Sequence, residues 1–158
     1  KLQAYLLWKQ GHTLHLRGDY DHAIEFFGKS IELYPTAEAY TFRGWSLSKL
    51  GKLEEAIDEC KEAIRLDPHY GNPYNDIGVY LIDLKRLEEA IPWLQKATRA
   101  ERYCCYQFPH FNIGRVQLMK GHIFEAKRSF ERALSYEPDY APARLALELI
   151  REQGLEPL

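Results

Sequence analysis

Four alanines open a recurrent phrase in this chain: Ala23-Ile24, Ala56-Ile57, Ala90-Ile91 and Ala126-Lys127, spaced 33, 34 and 36 residues apart. The recurrence reaches well beyond the alanines. Twelve residues before each stands a glycine, Gly11, Gly44, Gly78 or Gly114, and five before it stands Gly18, Gly51, Lys85 or Gly121. Seven after it come Ser30, Ala63, Ala97 and Ala133, and twelve after it Pro35, Pro68, Arg102 and Pro138. A period of this length means that one supersecondary unit is used four times. No such unit can bury its apolar face alone, so the units must stack on one another.

Each phrase reads as two helices, A and B, joined at Gly18, Gly51, Lys85 or Gly121, where a helix C-terminus favours a positive φ. The glycine inside helix A and the alanine inside helix B are small residues facing each other across the helix crossing. A mid-helix glycine costs roughly 1 kcal/mol in propensity, so close packing must offset it. Asn72-Pro73 and Ala141-Pro142 look like helix starts, with proline where the missing N–H costs nothing. Pro92 falls inside a B helix, a less comfortable place.

The arrangement resembles the tetratricopeptide repeat family, whose 34-residue pattern runs aromatic, Leu-Gly, Tyr, then Ala, Phe and Pro. The resemblance sets repeats at 4–36, 37–70, 71–104 and 107–140, with Cys105 and Tyr106 as an insertion, within a single domain over 1–158. It departs from the family at Gln10 and Arg43, which fill a leucine slot, at His110 in an aromatic slot, and at Arg102, which replaces the closing proline. The implied fold is all-α: a right-handed superhelical solenoid of four helix pairs with a C-terminal capping helix over 141–153. In that helix Leu145, Leu147, Leu149 and Ile150 are expected to pack on repeat four while Arg144, Glu148, Arg151 and Glu152 face water. Leu2, Leu6 and Leu7 mark an N-terminal face with no such cover.

Composition narrows the function classes. With 46% apolar and 28% charged residues the chain can build a core, and 21 Lys+Arg against 23 Asp+Glu leave a net charge of −2. That balance supplies no global field for nucleic acid or an anionic membrane. The apolar runs are far shorter than a membrane span requires. Cys60, Cys104 and Cys105 are odd in number and two are adjacent, which is no disulfide framework, so a reducing, cytoplasmic setting is expected.

No nucleotide loop, zinc-protease signature or nucleophile elbow occurs, and neither catalysis nor a cofactor is expected. His12 and His15 share one helical face without a third ligand fixed by the sequence. Cys104, Cys105 and His110 read as structural or incidental, and Cys60 occupies a core slot. The acidic pairs Glu54-Glu55 and Glu88-Glu89 suit the N-termini of B helices. Phe26 and Trp93 share a B-helix slot that shields neighbouring repeats.

The resemblance also implies a concave groove lined by helix A of each repeat. Its slots carry Trp8 and His12, then Phe42 and Trp45, then Asn75 and Asp76, then Phe108, Phe111, Asn112 and Arg115. The aromatics are candidates for contact with a ligand, and the two asparagines can both donate to and accept from a peptide backbone. The best-known members of the family grip a chaperone carboxylate with Lys, Arg and Asn. The corresponding slots here lack those cations, so no carboxylate clamp is expected. The expected function is a non-catalytic scaffold that binds a peptide or helix of a protein partner, as a monomer or a weakly self-associating one. A nucleic-acid-binding helical repeat and a self-assembling oligomer are the alternatives.

Overall fold

The glycine and alanine phrases fold as helix pairs in the computed structural model, which describes residues 1–154. Its helices are α1 (Leu2–Leu16), α2 (Tyr20–Leu33), α3 (Ala37–Lys49), α4 (Leu53–Leu66), α5 (Asn72–Asp83), α6 (Leu87–Ala97), α7 (Gln107–Met119), α8 (Ile123–Tyr136) and α9 (Ala141–Glu152). Among the described residues there is no strand, only an isolated parallel bridge between Tyr70 and Arg102. The chain is an all-α solenoid, as its repeat period requires. No helix among the described residues is long and apolar enough to cross a membrane.

The turns within the pairs have the expected chirality: φ is +81° at Gly18, +78° at Gly51, +62° at Lys85 and +79° at Gly121. Lys85 thus adopts a backbone that glycine takes more cheaply. At the crossings, a Cβ on Gly11 would stand 2.9 Å from the Phe27 ring, one on Gly114 2.6 Å from the Phe130 ring, and one on Gly78 inside the Leu94 side chain. Ala23, Ala56, Ala90 and Ala126 are fully buried opposite. Pro73 and Pro142 lie in the first turns of α5 and α9, and Pro92 lies inside α6.

The departures from the repeat pattern find partners. Arg43, in a leucine slot, makes a two-pronged ion pair with Glu59 across the α3–α4 crossing, at 2.6 and 2.9 Å. His110 stacks on Tyr136, with ring centroids 5.4 Å apart. Arg102, in the proline slot, uses the N–H that proline lacks: it donates to the His69 carbonyl, and its own carbonyl accepts from Gly71. Its guanidinium bonds Glu38 and Asp67 and lies over the Tyr70 ring. The connection between α6 and α7, residues 98–106, is thereby pinned to the preceding repeat.

Two expectations need correction. Cys104 and Cys105 are joined to each other as a vicinal disulfide, not left as free thiols. Because the bond links neighbours in sequence, it ties no two elements together. In α9, Ile150 is buried and Leu147 partly so, but Leu145 and Leu149 remain 56% and 46% exposed. They lie on the face of α9 turned away from α8, where no second helix follows among the described residues.

The main core cluster runs through the middle pairs, from Leu47, Ile57 and Cys60 to Ile77, Tyr80, Leu81, Leu94 and Val116. A second, around Phe130, Ala133, Ala143 and Ile150, fastens α9 to α8. Trp93 is partly buried against the main cluster and carries Lys96 over its ring.

Candidate functional site

Helices α1 and α3 present a continuous aromatic panel. Trp8 stacks on His12 at 5.4 Å and meets Phe42 edge-on at 5.3 Å; Phe42 in turn meets Trp45 at 5.8 Å. The i,i+4 spacing of Trp8 and His12 puts one ring above the other on a single helix face. Phe42 also rests on Phe27 of the core, and Trp45 lies 3.9 Å from His15, so the panel is anchored from beneath. His15 is buried and shares a 2.9 Å hydrogen bond with the Ser46 hydroxyl. Burial, Lys49 and His12 bring its imidazole down to about 4, so it is neutral at pH 7.

Beyond Trp45 the panel opens into a pocket of about 180 Å³ lined by Thr41, Phe42, Trp45, Asn72, Asn75, Asp76, Tyr103, Cys105 and Phe108. Helices α3 and α5 form its floor, while the α6–α7 connection and the start of α7 form its wall. Asp76 is half-buried, and its tightly packed surroundings push the carboxyl up to about 7, a hydrogen bond from Asn75 acting the other way.

The two asparagines behave differently from their expected role. Asn75 and Asn112 are 8% and 6% exposed. The Asn112 amide donates to Asn75 Oδ1 at 3.0 Å and its oxygen accepts from Arg115 at 3.1 Å. With the Asn75–Asp76 bond this makes a polar chain along the groove floor, Arg115 to Asn112 to Asn75 to Asp76. These amides hold α5 to α7, and little of them is left for a passing peptide backbone.

Trp8, His12, Phe42 and Trp45 thus fall together, and Phe108, Asn75 and Asp76 join Phe42 and Trp45 around the pocket. Asn112 and Arg115 connect from below. Phe111 stands apart, packed between Phe130 and Tyr140 as part of the second core cluster. Tyr103 and Cys105 were not foreseen as lining, because helical periodicity says nothing of a connecting segment. The lost proline at position 102 was the available signal that this segment runs an unusual course. At the far end, Trp8 also borders a hollow of about 390 Å³ with Tyr5, Ser30, Tyr34 and Glu38, and its indole N–H has no partner among the described residues. No group of three or more His, Cys, Asp or Glu able to hold a metal ion occurs among the described residues.

Models of the tetratricopeptide repeat match residues 4–37, 37–70 and 72–104. The chain is 34% identical over 100 residues to small glutamine-rich tetratricopeptide repeat-containing protein 2 of Mycosarcoma maydis, a match covering 63% of this chain and 28% of that protein. It is 31% identical over 119 residues to the TPR repeat-containing thioredoxin TTL4 of Arabidopsis thaliana, covering 73% of this chain and 16% of the other. The chain therefore spans under a third of the length of these relatives. Among solved structures, PilF of Pseudomonas aeruginosa superposes with a TM-score of 0.87 at 23% identity, covering 95% of this chain and 68% of that one.

Proposed function

This chain belongs to the tetratricopeptide repeat family, and from that premise we propose that it is a non-catalytic scaffold whose concave groove binds a segment of a protein partner. One observation carries the reading: the aromatic panel of Trp8, His12, Phe42 and Trp45 leads without interruption into a side-chain-sized pocket. These rings are half-buried, and aromatic surface that is still partly open next to a concavity is what an apolar anchor residue needs; such anchors carry most of the energy of peptide recognition. Since the asparagines are occupied, affinity rests on side chains entering the panel rather than on hydrogen bonds to the ligand backbone.

Charge placement supports a protein ligand over nucleic acid. Arg102 is tied to Glu38 and Asp67, and Arg115 is bonded to Asn112, so these cations of the groove do not form a track for phosphates. The test is selection of displayed random peptides on the whole chain, with counter-selection on Phe108→Ala and Trp45→Ala. Phe108 is 37% exposed, so its truncation should leave the fold intact. Binders that lose affinity for both folded variants support the groove. Binders indifferent to both place the contact elsewhere.

End-to-end self-association is a second reading, favoured by leucines left open at both ends of the solenoid, Leu2 and Leu6 on α1 and Leu145 and Leu149 on α9.

A further inference from the structure

The pocket beyond Trp45 holds one charged group, Asp76, among four aromatic rings, two amides, Thr41 and Cys105. Among the described residues no cation pairs with it. The arginines on either side are engaged elsewhere, Arg102 with Glu38 and Asp67 at 2.9 and 2.7 Å and Arg115 with Asn112. The titratable groups coupled to it are Cys60 on α4, Tyr70 and Tyr103 on the connections, and Tyr80 on its own helix. Burial keeps all four protonated, and so uncharged, at pH 7. A half-buried carboxylate with only an amide for company is costly to ionise, as its raised pKa of about 7 reflects. Around it stand Phe42, Trp45, Tyr103 and Phe108, whose ring faces attract cations. A carboxylate set among aromatic rings is complementary to one kind of occupant.

We propose that this pocket takes the cationic side chain, lysine or arginine, of the bound partner segment, with the ammonium or guanidinium paired to Asp76 and its aliphatic stem lying against Phe42 and Trp45. The assignment rests on the groove reading for the identity of the partner as a polypeptide, but the pocket's preference for a cation can be tested without it. About 180 Å³ accommodates a single side chain and not a helix. The preference is opposite in sign to a clamp for an acidic terminus.

The direct experiment titrates n-butylammonium and n-butylguanidinium into the whole ¹⁵N-labelled chain, with n-pentanol and n-butyrate as uncharged and anionic controls. A saturable shift of the Trp45 indole and Asn75 amide signals by either cation is expected, with binding weaker by about tenfold or more in a folded Asp76→Asn variant. The tighter of the two cations tells lysine from arginine. No saturable shift, equal binding by Asp76→Asn, or equal binding of pentanol overturns the proposal.

Sequencing peptides from the display selection gives a second reading. A lysine or arginine fixed at one position on the parent, and released when selection is repeated on Asp76→Asn, supports the pocket. Groove binders without a fixed basic residue overturn the pocket while upholding the groove. A saturable cation shift with no groove-dependent peptide overturns the groove reading and supports the pocket.

Discussion

Asp76 and His15 are the residues through which the groove should make itself felt in stability. The Asp76 carboxyl sits at about 7 in the folded chain against an ordinary 3.8, so folding disfavours its ionised form. That cost is absent below about pH 4, grows as pH rises through 7 and is complete above it. Asp76→Asn keeps the acceptor for Asn75 and removes the charge. The variant is expected to be more stable than the parent at pH 8 by about 1–2 kcal/mol, allowing for the solvent that reaches the site, with the gap closing toward pH 4. Thermal melts at the two pH values measure it; no gain at pH 8 would mean the carboxylate is not strained by its setting. His15 has the opposite sign. Its imidazole falls from an ordinary 6.5 to about 4, so the stability tied to its neutral form is present above 6.5 and lost as pH drops toward 4. His15→Gln should flatten the acid limb of the stability curve by about 2–3 kcal/mol. Both effects were hidden from the sequence, where Asp76 is an ordinary groove position and His15 simply shares a helical face with His12. Their ionisation depends on how neighbouring repeats close over them, which no local pattern encodes.

At the scale of elements the sequence was more legible, because helix crossings and turns are set by residue size and backbone freedom within one repeat. Gly78 shows the logic: any Cβ there enters the Leu94 side chain, so close approach decides the residue. Gly28, also inside a helix, has only the Arg43 guanidinium nearby, at 3.6 Å from a Cβ built on it. The pair makes a matched test. Gly78→Ala is expected to destabilise by about 1–3 kcal/mol through overpacking. Gly28→Ala is expected to stabilise by about 0.5–1 kcal/mol through helix propensity. Chemical denaturation of the two variants separates crossing glycines from incidental ones, and a gain in both would remove the crossing argument. The connection at 98–106 was legible only as a departure. An arginine where the repeat closes with proline signalled an altered path, but not that its N–H and guanidinium would bind His69, Glu38 and Asp67. Restoring the family residue with Arg102→Pro should therefore cost about 1–2 kcal/mol rather than help.

For the whole molecule, the repeat period gives the solenoid but says little about how its ends are finished. The terminal helix was expected to be a polar-faced cap because charged and apolar residues alternate along it. Every other residue from Leu145 to Leu149 is leucine, however, and a helix turns by 100° per residue, so these leucines cannot all share one buried face. Ala143, Leu147 and Ile150 take the face on α8, leaving Leu145 and Leu149 to solvent. Leu2 at 72% and Leu6 at 51% exposure present a comparable stripe on α1 at the opposite end. A contact between two different apolar patches at opposite ends would be head-to-tail, which does not close into a symmetric dimer but extends. On the self-association reading, the chain of 158 residues is expected to show an average mass that climbs steadily with concentration in sedimentation equilibrium, without a plateau at two copies; a concentration-independent monomer mass overturns that reading. Replacing Leu145 and Leu149 with glutamate should return it to monomer while changing stability by no more than about 0.5 kcal/mol, since both side chains are already wet. Groove ligands should bind the monomeric variant unchanged, because the aromatic panel and the Asp76 pocket share no residue with either patch.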